Sequence, residues 1–499
     1  MTKAWDDLLP RLRDLTDLLS TSALLSWDQQ VLMPRATTGH RARMMATIDS
    51  LIHERLTDPG LGDLISTLEA DDSLDDAQKA SVRLLRRDHD KAVKVPLALV
   101  RELSELQGRC FRSWAEARAA SDFEILQPDL ERMFELKKQQ ADAVGYEGER
   151  YDALLDDFEP GLTARDVEKL FRDLVTELKP LADAILQRSG DRPEFMSRPF
   201  DDRGQEDFSQ WLIGVMKFDT SRGRLDQSPH PFTSRMGADD VRQTTRILTN
   251  DFVSNLRSTM HETGHALYEQ GLPVEWADLP IGNTRSLGLH ESQSRIWEIQ
   301  VGTGRAFLGF LFDEMKSRWP EQLGDVSADD FYRGVNHPHR SPIRVEADEV
   351  TYNLHVALRA ELELALFREE LAVADLPEAW DAGMEKHVGI RPESQADGVL
   401  QDIHWSGGLI GYFPTYTMGT LYAAAFYERA VADLGDPSDD LARGHVGKVL
   451  DWLRTNLHSY GSTEEPRAAG ERIIGGPLTV TPFIEHIRTK YAAIYGALD

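Results

Sequence analysis

Apolar residues recur every three or four positions along most of the chain. Four stretches show this spacing clearly: WDDLLPRLRDLTDLLSTSALLSW near the N-terminus, PLALVRELSELQGRCFRSWAEARAA, RDVEKLFRDLVTELKPLADAILQR, and VEADEVTYNLHVALRAELELALFREELA. Such a repeat places the apolar side chains on one face of an α-helix. The pattern therefore predicts long amphipathic helices that bury their apolar faces against one another.

Alternation of apolar and polar residues, the mark of a strand, is rare. It occurs in DDVRQTTRI near the middle of the chain and in the short β-like run GGPLTVTPF near the end. Loops rich in Gly, Pro and Ser are short, and no low-complexity linker divides the chain. We therefore predict a mainly α-helical fold, a single domain over residues 1–499, with a small β-sheet near its middle.

The excess of acidic residues argues against partners that carry negative charge. The chain has 56 Lys and Arg against 84 Asp and Glu, a formal net charge of −28. Nucleic acids and anionic membranes bind basic surfaces, so neither is expected as a partner. The uncharged run 403–427 contains glycines, a proline and a histidine, which indicates buried backbone and not a spanning helix.

Cysteine content and the N-terminus indicate the compartment. Cys110 is the only cysteine, so the chain has neither a disulfide framework nor a cysteine-rich zinc site. A single thiol fits a reducing compartment. The first residues, MTKAWDDLLPRLRDL, lack the apolar core of a signal peptide. We expect a cytoplasmic protein.

The stretch RSTMHETGHALYEQG, residues 257–271, carries candidate chemistry. His261 and His265 lie four apart, on one face of a helix and about 6 Å apart along its axis. Glu262 is rotated by about 100° from His261, where it can reach a water molecule beside an ion that both imidazoles bind. This arrangement is typical of zinc peptidases, in which the carboxylate acts as general base.

A catalytic zinc site needs a third protein ligand and one open position. The stretch LGLHESQSRIWE supplies three candidates: His290, Glu291 and Glu298. Glu291, near the start of an apparent second helix, is the most economical choice. For Glu298 we expect an ordinary solvated or paired helix carboxylate. For His290 we expect either a contact that supports a ligand or binds substrate, or simple packing. A helical binding protein with a structural zinc remains an alternative, although structural sites usually have four protein ligands.

Several longer motifs carry a family resemblance. They are HETGHALYEQG, LHESQSR, IRVEADEVTYNLH, GVLQDIHWSGGLIGYFPTY, SPHPFT with DVRQTT, ALLSWDQQVLMP and YDALLDDFEPG. Together they resemble the carboxypeptidase Taq family of zinc metallocarboxypeptidases. The resemblance implies a helical fold similar to that of neurolysin, with a deep substrate groove and the helices of about residues 1–200 along one side. It also implies a homodimer that removes C-terminal residues from peptides with broad specificity.

The resemblance assigns roles to individual residues. His261, His265 and Glu291 match the metal ligands, with one Zn²⁺ per subunit and Co²⁺ as a possible substitute, and Glu262 matches the general base. Positions that hold substrate or the transition state are matched by His230, Arg344, His404, and Tyr412 or Tyr416. The family's DxRxT element is matched by Asp240, Arg242 and Thr244. Asp240, Arg242 and His290 are candidate substrate contacts.

An exopeptidase also needs a cation for the terminal carboxylate of its substrate. Arg344 is our prediction, because a guanidinium can bind a carboxylate through two hydrogen bonds. The alternative is an internal ion pair between Arg344 and one of three nearby acids, Glu346, Asp348 or Glu349, with Arg242 and Arg295 as competing anchors. The predicted oxyanion donors are His404, Tyr412, Tyr416 and His230, although a Tyr among glycines is commonly a core residue. A zinc oligopeptidase that cuts internal bonds of short peptides is the alternative function.

Overall fold

The computed structural model describes residues 3–498, and helices dominate it. The α-helices are α1 Lys3–Val31, α2 Thr38–Leu56, α3 Pro59–Glu69, α4 Asp76–Lys94, α5 Leu97–Ala120, α6 Gln127–Val144, α7 Arg150–Leu155, α8 Ala164–Ser189, α9 Asp202–Val215, α10 Phe252–Gly271, α11 Leu287–Arg295, α12 Arg305–Arg318, α13 Pro320–Leu323, α14 Ala328–Val335, α15 Tyr352–Phe367, α16 Leu376–His387, α17 Phe413–Leu434, α18 Ser438–Leu441, α19 Gly447–Asn456, α20 Pro466–Ile474 and α21 Thr481–Tyr495. The mainly α-helical prediction is confirmed.

One small sheet lies between α9 and α10. Its strands are β1 Gly223–Gln227, β2 Thr233–Gly237 and β3 Asp240–Thr245, in the order β1-β3-β2. β3 is the central strand, parallel to β1 and antiparallel to β2, with Thr233 opposite Gln243. The strand predicted in DDVRQTTRI is therefore confirmed.

The strand predicted in GGPLTVTPF is wrong. Residues 475–480 form no strand, and α21 begins at Thr481. Pro482 lies in the first turn of α21, where its missing N–H removes no helical hydrogen bond. The alternating pattern is short, and the proline favours the start of a helix, so this stretch forms a loop followed by α21 and not a strand.

Three helices, α10, α11 and α17, form the centre of the molecule, with α11 packed against both of the others. Two glycines allow this close packing. A Cβ on Gly264 of α10 would lie 2.6 Å from the carbonyl oxygen of Gln293, and a Cβ on Gly419 of α17 would lie 2.4 Å from the Cβ of Glu291. Any larger side chain at either position would push α11 away. These glycines therefore bring Glu291 close to α10.

The main hydrophobic core draws on residues from Ala117 to Leu498. A smaller core lies among the N-terminal helices and includes Trp5, Leu8, Ile65 and Leu85. α2 buries none of its side chains fully. In the part of the chain from 3 to 498, no helix has the length and apolar character needed to cross a bilayer.

Candidate metal centre and active site

The structure brings His261, His265 and Glu291 together. Oε2 of Glu291 lies 3.5 Å from Nε2 of His261 and 3.4 Å from Nε2 of His265. One ligand atom from each residue falls within 4.8 Å of the other two. The spacing of four along α10 puts both imidazoles on one side of that helix, and α11 supplies the carboxylate from the opposite side. The three side chains predicted as metal ligands thus form one cluster.

The second nitrogen of each imidazole is held by the protein. Nδ1 of His261 donates to Oε2 of Glu298 at 2.9 Å, and Nδ1 of His265 donates to the carbonyl oxygen of His290 at 3.1 Å. These bonds turn both Nε2 atoms toward Glu291. Such an outer partner is the usual companion of a histidine that binds a metal. Glu298 is a paired carboxylate, as the sequence indicated, and its partners are His261 and Arg295.

The charges of the cluster balance one another. Burial raises the pKa of Glu291, but His261 and Arg295 outweigh burial and hold this pKa well below its usual range. Burial lowers the pKa of His261, yet the carboxylates of Glu291 and Glu298 outweigh it and raise this pKa to about 9. Burial, together with His290, lowers the pKa of His265 to about 3. Near pH 7 the cluster therefore contains one ionised carboxylate, one neutral imidazole and one protonated imidazole, and His261 must release its proton before its Nε2 can bind an ion.

Glu262 lies beside the cluster and is buried. Burial raises the pKa of its carboxyl, and the nearby imidazole of His261 opposes the rise. Oε2 of Glu262 accepts a hydrogen bond of 2.7 Å from the hydroxyl of Thr233. A buried carboxylate with a raised pKa next to the cluster suits a group that accepts and returns a proton.

His290 packs against His265, one of the predicted metal ligands. Its ring stacks on that of His265, with centroids 4.3 Å apart and planes at 16°. Its Nε2 donates to Oε1 of Glu269 at 2.9 Å. The ring of His290 and its carbonyl oxygen both contact His265, so these contacts fit the alternative in which His290 supports a proposed ligand, and substrate binding by His290 remains a prediction. Glu269, four residues after His265 and so on the same helical face, was missed as a partner.

Arg344 does not form the ion pairs that the sequence suggested as alternatives. Its Nη2 and Nε donate to Oδ1 of Asp402 at 2.8 and 3.1 Å, and its Nη1 donates to the hydroxyl of Tyr352 at 3.1 Å. Oδ2 of Asp402 accepts from Nε of Arg359 at 2.7 Å. Two guanidinium groups thus share one carboxylate, and the group of three keeps one net positive charge.

Arg295, the competing candidate for binding the substrate carboxylate, is paired with two carboxylates at the cluster of predicted metal ligands. It donates from Nε to Oε1 of Glu291 at 2.8 Å and from Nη1 to Oε2 of Glu298 at 3.2 Å. Two of the three acids proposed as partners of Arg344 have other partners, and the third, Glu346, is exposed. Asp348 accepts from the hydroxyl of Thr351 at 3.0 Å, and Glu349 binds Nζ of Lys490 at 2.5 Å.

His404, Tyr412 and Tyr416 form an aromatic group next to Arg344. The hydroxyl of Tyr416 lies 3.2 Å from Nε2 of His404, and the rings of the two tyrosines meet edge to face at 5.2 Å. The guanidinium carbon of Arg344 lies 5.2 Å from the ring centroid of Tyr416. Burial lowers the pKa of His404 to about 3 although the Asp402 carboxylate opposes it, so its imidazole is neutral near pH 7.

The tyrosines are partly buried and remain protonated. Burial first, and then the charge of Glu291, raises the pKa of Tyr412 to about 12. Both phenols are therefore hydrogen-bond donors near neutral pH. Tyr412 immediately precedes α17 and Tyr416 lies in its first turn, and α17 packs against α11, the helix that carries Glu291.

His230 is exposed and precedes β2. Its Nδ1 donates to the carbonyl oxygen of Pro231 at 2.9 Å. The hydroxyl of Ser228 lies 2.6 Å from the carbonyl oxygen of His230 and 2.7 Å from the hydroxyl of Thr244. Thr244 of the DxRxT element therefore supports the loop that carries His230.

Asp240 and Arg242 bind each other on β3, with Nη2 of Arg242 2.6 Å from Oδ2 of Asp240. The guanidinium of Arg242 also lies 4.5 Å from the ring centroid of Trp27 in α1. Side chains alternate along a strand, and Gln243 points to the other face, where it accepts from Thr263 of α10. The contacts of Asp240 and Arg242 are thus with each other and with α1, and their role in substrate binding remains a prediction.

Comparison with known proteins yields close relatives over the whole length. The model of the carboxypeptidase Taq (M32) metallopeptidase family matches residues 7–491. Thermostable carboxypeptidase 1 of Thermus thermophilus is 43% identical over 99% of both chains, and carboxypeptidase 1 of Bacillus subtilis is 34% identical over 99% of this chain and 98% of its own. The crystal structure of the M32 carboxypeptidase from Deinococcus radiodurans R1 superimposes with a TM-score of 0.97 at 39% identity, covering 99% of this chain and 100% of that one.

Proposed function

The chain belongs to the carboxypeptidase Taq (M32) metallopeptidase family and is a metallocarboxypeptidase, and from this we propose which of its residues perform the hydrolysis. His261, His265 and Glu291 hold one zinc ion, and Glu262 is the general base. The observation that carries this proposal is the convergence of two Nε2 atoms and one carboxylate oxygen within 4.8 Å.

The residues present fit a divalent ion. Both imidazoles direct Nε2 inward because Nδ1 is engaged, and Glu291 is held ionised. Two histidines and one carboxylate form a typical catalytic zinc set that leaves a coordination position open. Cobalt accepts similar nitrogen and oxygen ligands, so it can take the place of zinc. When bound, such an ion lowers the pKa of water toward neutrality and polarises the peptide carbonyl.

The protein's own groups move the proton and stabilise the developing charge. Glu262 accepts a proton from the attacking water and returns it to the leaving amine. The phenols of Tyr412 and Tyr416 can donate to the oxyanion of the tetrahedral intermediate. His404, neutral and 3.2 Å from the hydroxyl of Tyr416, orients that phenol or donates alongside it. His230, on the exposed loop before β2, is a further donor to substrate.

Arg344 supplies the preference for a free C-terminus. Because Asp402 is shared between Arg344 and Arg359, one positive charge is left uncompensated beside Tyr416. An anionic C-terminus is attracted to such a charge, and Arg344 is the guanidinium in contact with the aromatic group. The comparisons support this exopeptidase function and not the oligopeptidase alternative.

A matched pair of peptides tests the proposal. One sequence is offered with a free C-terminus and with an amidated one, with and without a chelator, and the products are followed by mass spectrometry. We expect stepwise loss of C-terminal residues from the free peptide only, and none with chelator or with Glu262→Ala. Release of internal fragments, or equal cleavage of both peptides, would contradict the exopeptidase function.

Assembly and location extend the proposal. The family resemblance supports a homodimer, and a single buried cysteine fits the cytoplasm. The helices of about residues 1–200 would form one side of the substrate groove. Light scattering should give twice the chain mass of 56.3 kDa. A particle of one chain mass at micromolar concentration would contradict the dimer.

A further inference from the structure

The carboxylate of Glu262 has a protein partner that the sequence did not reveal. The hydroxyl of Thr233 lies 2.7 Å from Oε2 of Glu262 and 2.9 Å from the main-chain oxygen of the same residue. Among the hydrogen bonds found in residues 3–498, no other reaches this carboxylate, and Oε1 is left without one. The hydroxyl of Thr233 thus contacts both the side-chain carboxylate and the main-chain carbonyl of Glu262.

The position of this hydroxyl is fixed by the sheet. Thr233 begins β2 and lies opposite Gln243 on β3. Oε1 of Gln243 accepts a hydrogen bond of 2.9 Å from the hydroxyl of Thr263, the residue after Glu262. On the other side of Thr233, the main-chain N–H of Phe232 donates to the hydroxyl of Thr244 at 2.9 Å. The chain around Thr233 is therefore bonded to β3, and β3 is bonded in turn to α10 beside Glu262.

We propose that Thr233 is a positioning residue that holds Oε2 of Glu262 and so leaves Oε1 directed at the substrate. The proposal rests on the proposed function, in which Glu262 is the general base. A hydroxyl has only one hydrogen, and both of its acceptors here belong to Glu262. The carboxylate oxygen is the nearer acceptor, at 2.7 Å against 2.9 Å, and a charged acceptor forms the stronger bond. Donation to Oε2 limits rotation of the Glu262 side chain relative to α10.

This restraint matters because proton transfer depends on distance and direction. A displacement of about 1 Å in a catalytic group can cost on the order of 100-fold in rate. Without the hydroxyl, Glu262 has no hydrogen-bond partner in residues 3–498 to select its rotamer. The loss should appear in kcat and leave KM nearly unchanged, because Thr233 acts through Glu262 and not through bound substrate.

Two substitutions at the same position separate the hydroxyl from the shape of the side chain. Thr233→Val keeps the branched shape and removes the hydroxyl, whereas Thr233→Ser keeps the hydroxyl. Thr245→Val is the matched control, since it removes a buried hydroxyl from the same sheet–helix junction. That hydroxyl contacts Ser258 and Thr259 and not Glu262. Each variant is assayed for kcat, KM and metal content as the full chain.

We expect Thr233→Val to lower kcat by about 10- to 100-fold, in line with the sensitivity of proton transfer to position. KM should stay within about twofold and metal content at the parental value, while Thr233→Ser recovers most of the rate. Thr245→Val should lower the melting temperature and keep kcat. Parental kcat in Thr233→Val, or an equal loss in Thr233→Ser, would overturn the proposal.

A second readout does not depend on activity. In chelator-treated protein, the melting temperatures of Thr233→Val, Glu262→Ala and the double variant form a mutant cycle. A real contact makes the loss in the double variant smaller than the sum of the two single losses, whereas additive losses would contradict the contact. The experiment distinguishes failure of the proposed function from failure of the proposed role of Thr233. An active Glu262→Ala enzyme refutes the proposed general base, whereas a dead Glu262→Ala with an active Thr233→Val refutes only the role of Thr233.

Discussion

Asp402 accepts two hydrogen bonds from Arg344, with Oδ1 at 2.8 Å from Nη2 and at 3.1 Å from Nε. The Asp402 carboxylate also pairs with Arg359, whose side chain is fully buried. Burial works against the charge of Arg344, but the carboxylate of Asp402 outweighs it and raises the pKa of this guanidinium. Arg344 is therefore a fixed, permanently charged group beside Tyr416 of α17, and Asp402 neutralises only part of the positive charge of Arg344 and Arg359.

Replacement of Arg344 by Ala should remove the preference for a free C-terminus. Asp402 keeps Arg359 as its partner, so the variant should fold. A hydrogen bond to a charged group is worth about 1.5–3 kcal/mol, and we expect kcat/KM for the free peptide to fall by about 10- to 100-fold. The ratio of kcat/KM between free and amidated forms of one peptide measures the effect.

Arg242→Ala is the control for this experiment, because Arg242 is paired with Asp240 at the other candidate anchor. It should leave the ratio between free and amidated peptides as in the parent. If Arg242→Ala abolishes the preference and Arg344→Ala retains it, the anchor has been assigned to the wrong arginine.

Metal binding should stabilise the folded chain. A ligand that binds only the folded state adds about 4 kcal/mol to the free energy of unfolding when its free concentration is 1,000 times Kd. Chelation should therefore lower the melting temperature of the parent, and added zinc should restore it. Glu291→Gln should show almost no response to either treatment, because it loses the carboxylate ligand.

Glu298→Gln provides the comparison. It keeps all three proposed ligands and changes the carboxylate that accepts from Nδ1 of His261 and pairs with Arg295. Loss of such an outer partner typically weakens metal binding by about 10- to 100-fold, so this variant should respond at higher zinc. If Glu298→Gln fails to bind zinc while Glu291→Gln binds it as the parent does, the proposed ligand set is wrong.

The ionisation of Glu159 should make the free energy of unfolding depend on pH. This carboxyl is buried at the start of α11, where it accepts from the hydroxyl of Ser286 at 2.7 Å and from the main-chain N–H of Gly288 at 2.9 Å. Burial raises its pKa from 4.5 to about 7, and these two hydrogen bonds oppose the rise only in part. The folded state therefore binds this proton more tightly than the unfolded state does.

The resulting stability is complete below pH 4.5 and is lost as the pH rises to about 7. The rise in pKa corresponds to about 3 kcal/mol. Glu159→Gln cannot titrate and should lack this component. Urea unfolding of chelated parent and variant at pH 5 and pH 7.5 gives the difference. If the free energies of unfolding of both proteins change equally between the two pH values, Glu159 is not the group responsible.

Features that depend on the spacing of residues close together in the chain could be predicted from the sequence. The four-residue interval between His261 and His265 is enough to place two imidazoles on one helical face, and the leucine repeats are enough to predict the helices. Glu291 could be nominated because it follows closely on a loop after α10. The close packing that brings it to the histidines depends on Gly264 and Gly419, which are far apart in the chain.

Partners brought together by tertiary structure were not predictable in this way. Asp402 lies 58 positions after Arg344, and Thr233 lies 29 positions before Glu262. No periodicity links such residues. Asp348 and Glu349 lie within a few positions of Arg344 and were expected as its partners, yet Asp348 accepts from Thr351 and Glu349 pairs with Lys490. Local spacing therefore sufficed to predict which residues would be ligands, whereas the groups that orient them could be found only from the fold.

The position of the metal ion is the most direct test of this account. A crystal of the zinc-loaded protein, measured at the zinc absorption edge, locates the ion by anomalous scattering. We predict one peak per chain, about 2.0–2.2 Å from Nε2 of His261, Nε2 of His265 and a carboxylate oxygen of Glu291, with an adjacent position held by solvent. A peak away from these three atoms, or a fourth protein side chain in the open position, would contradict it.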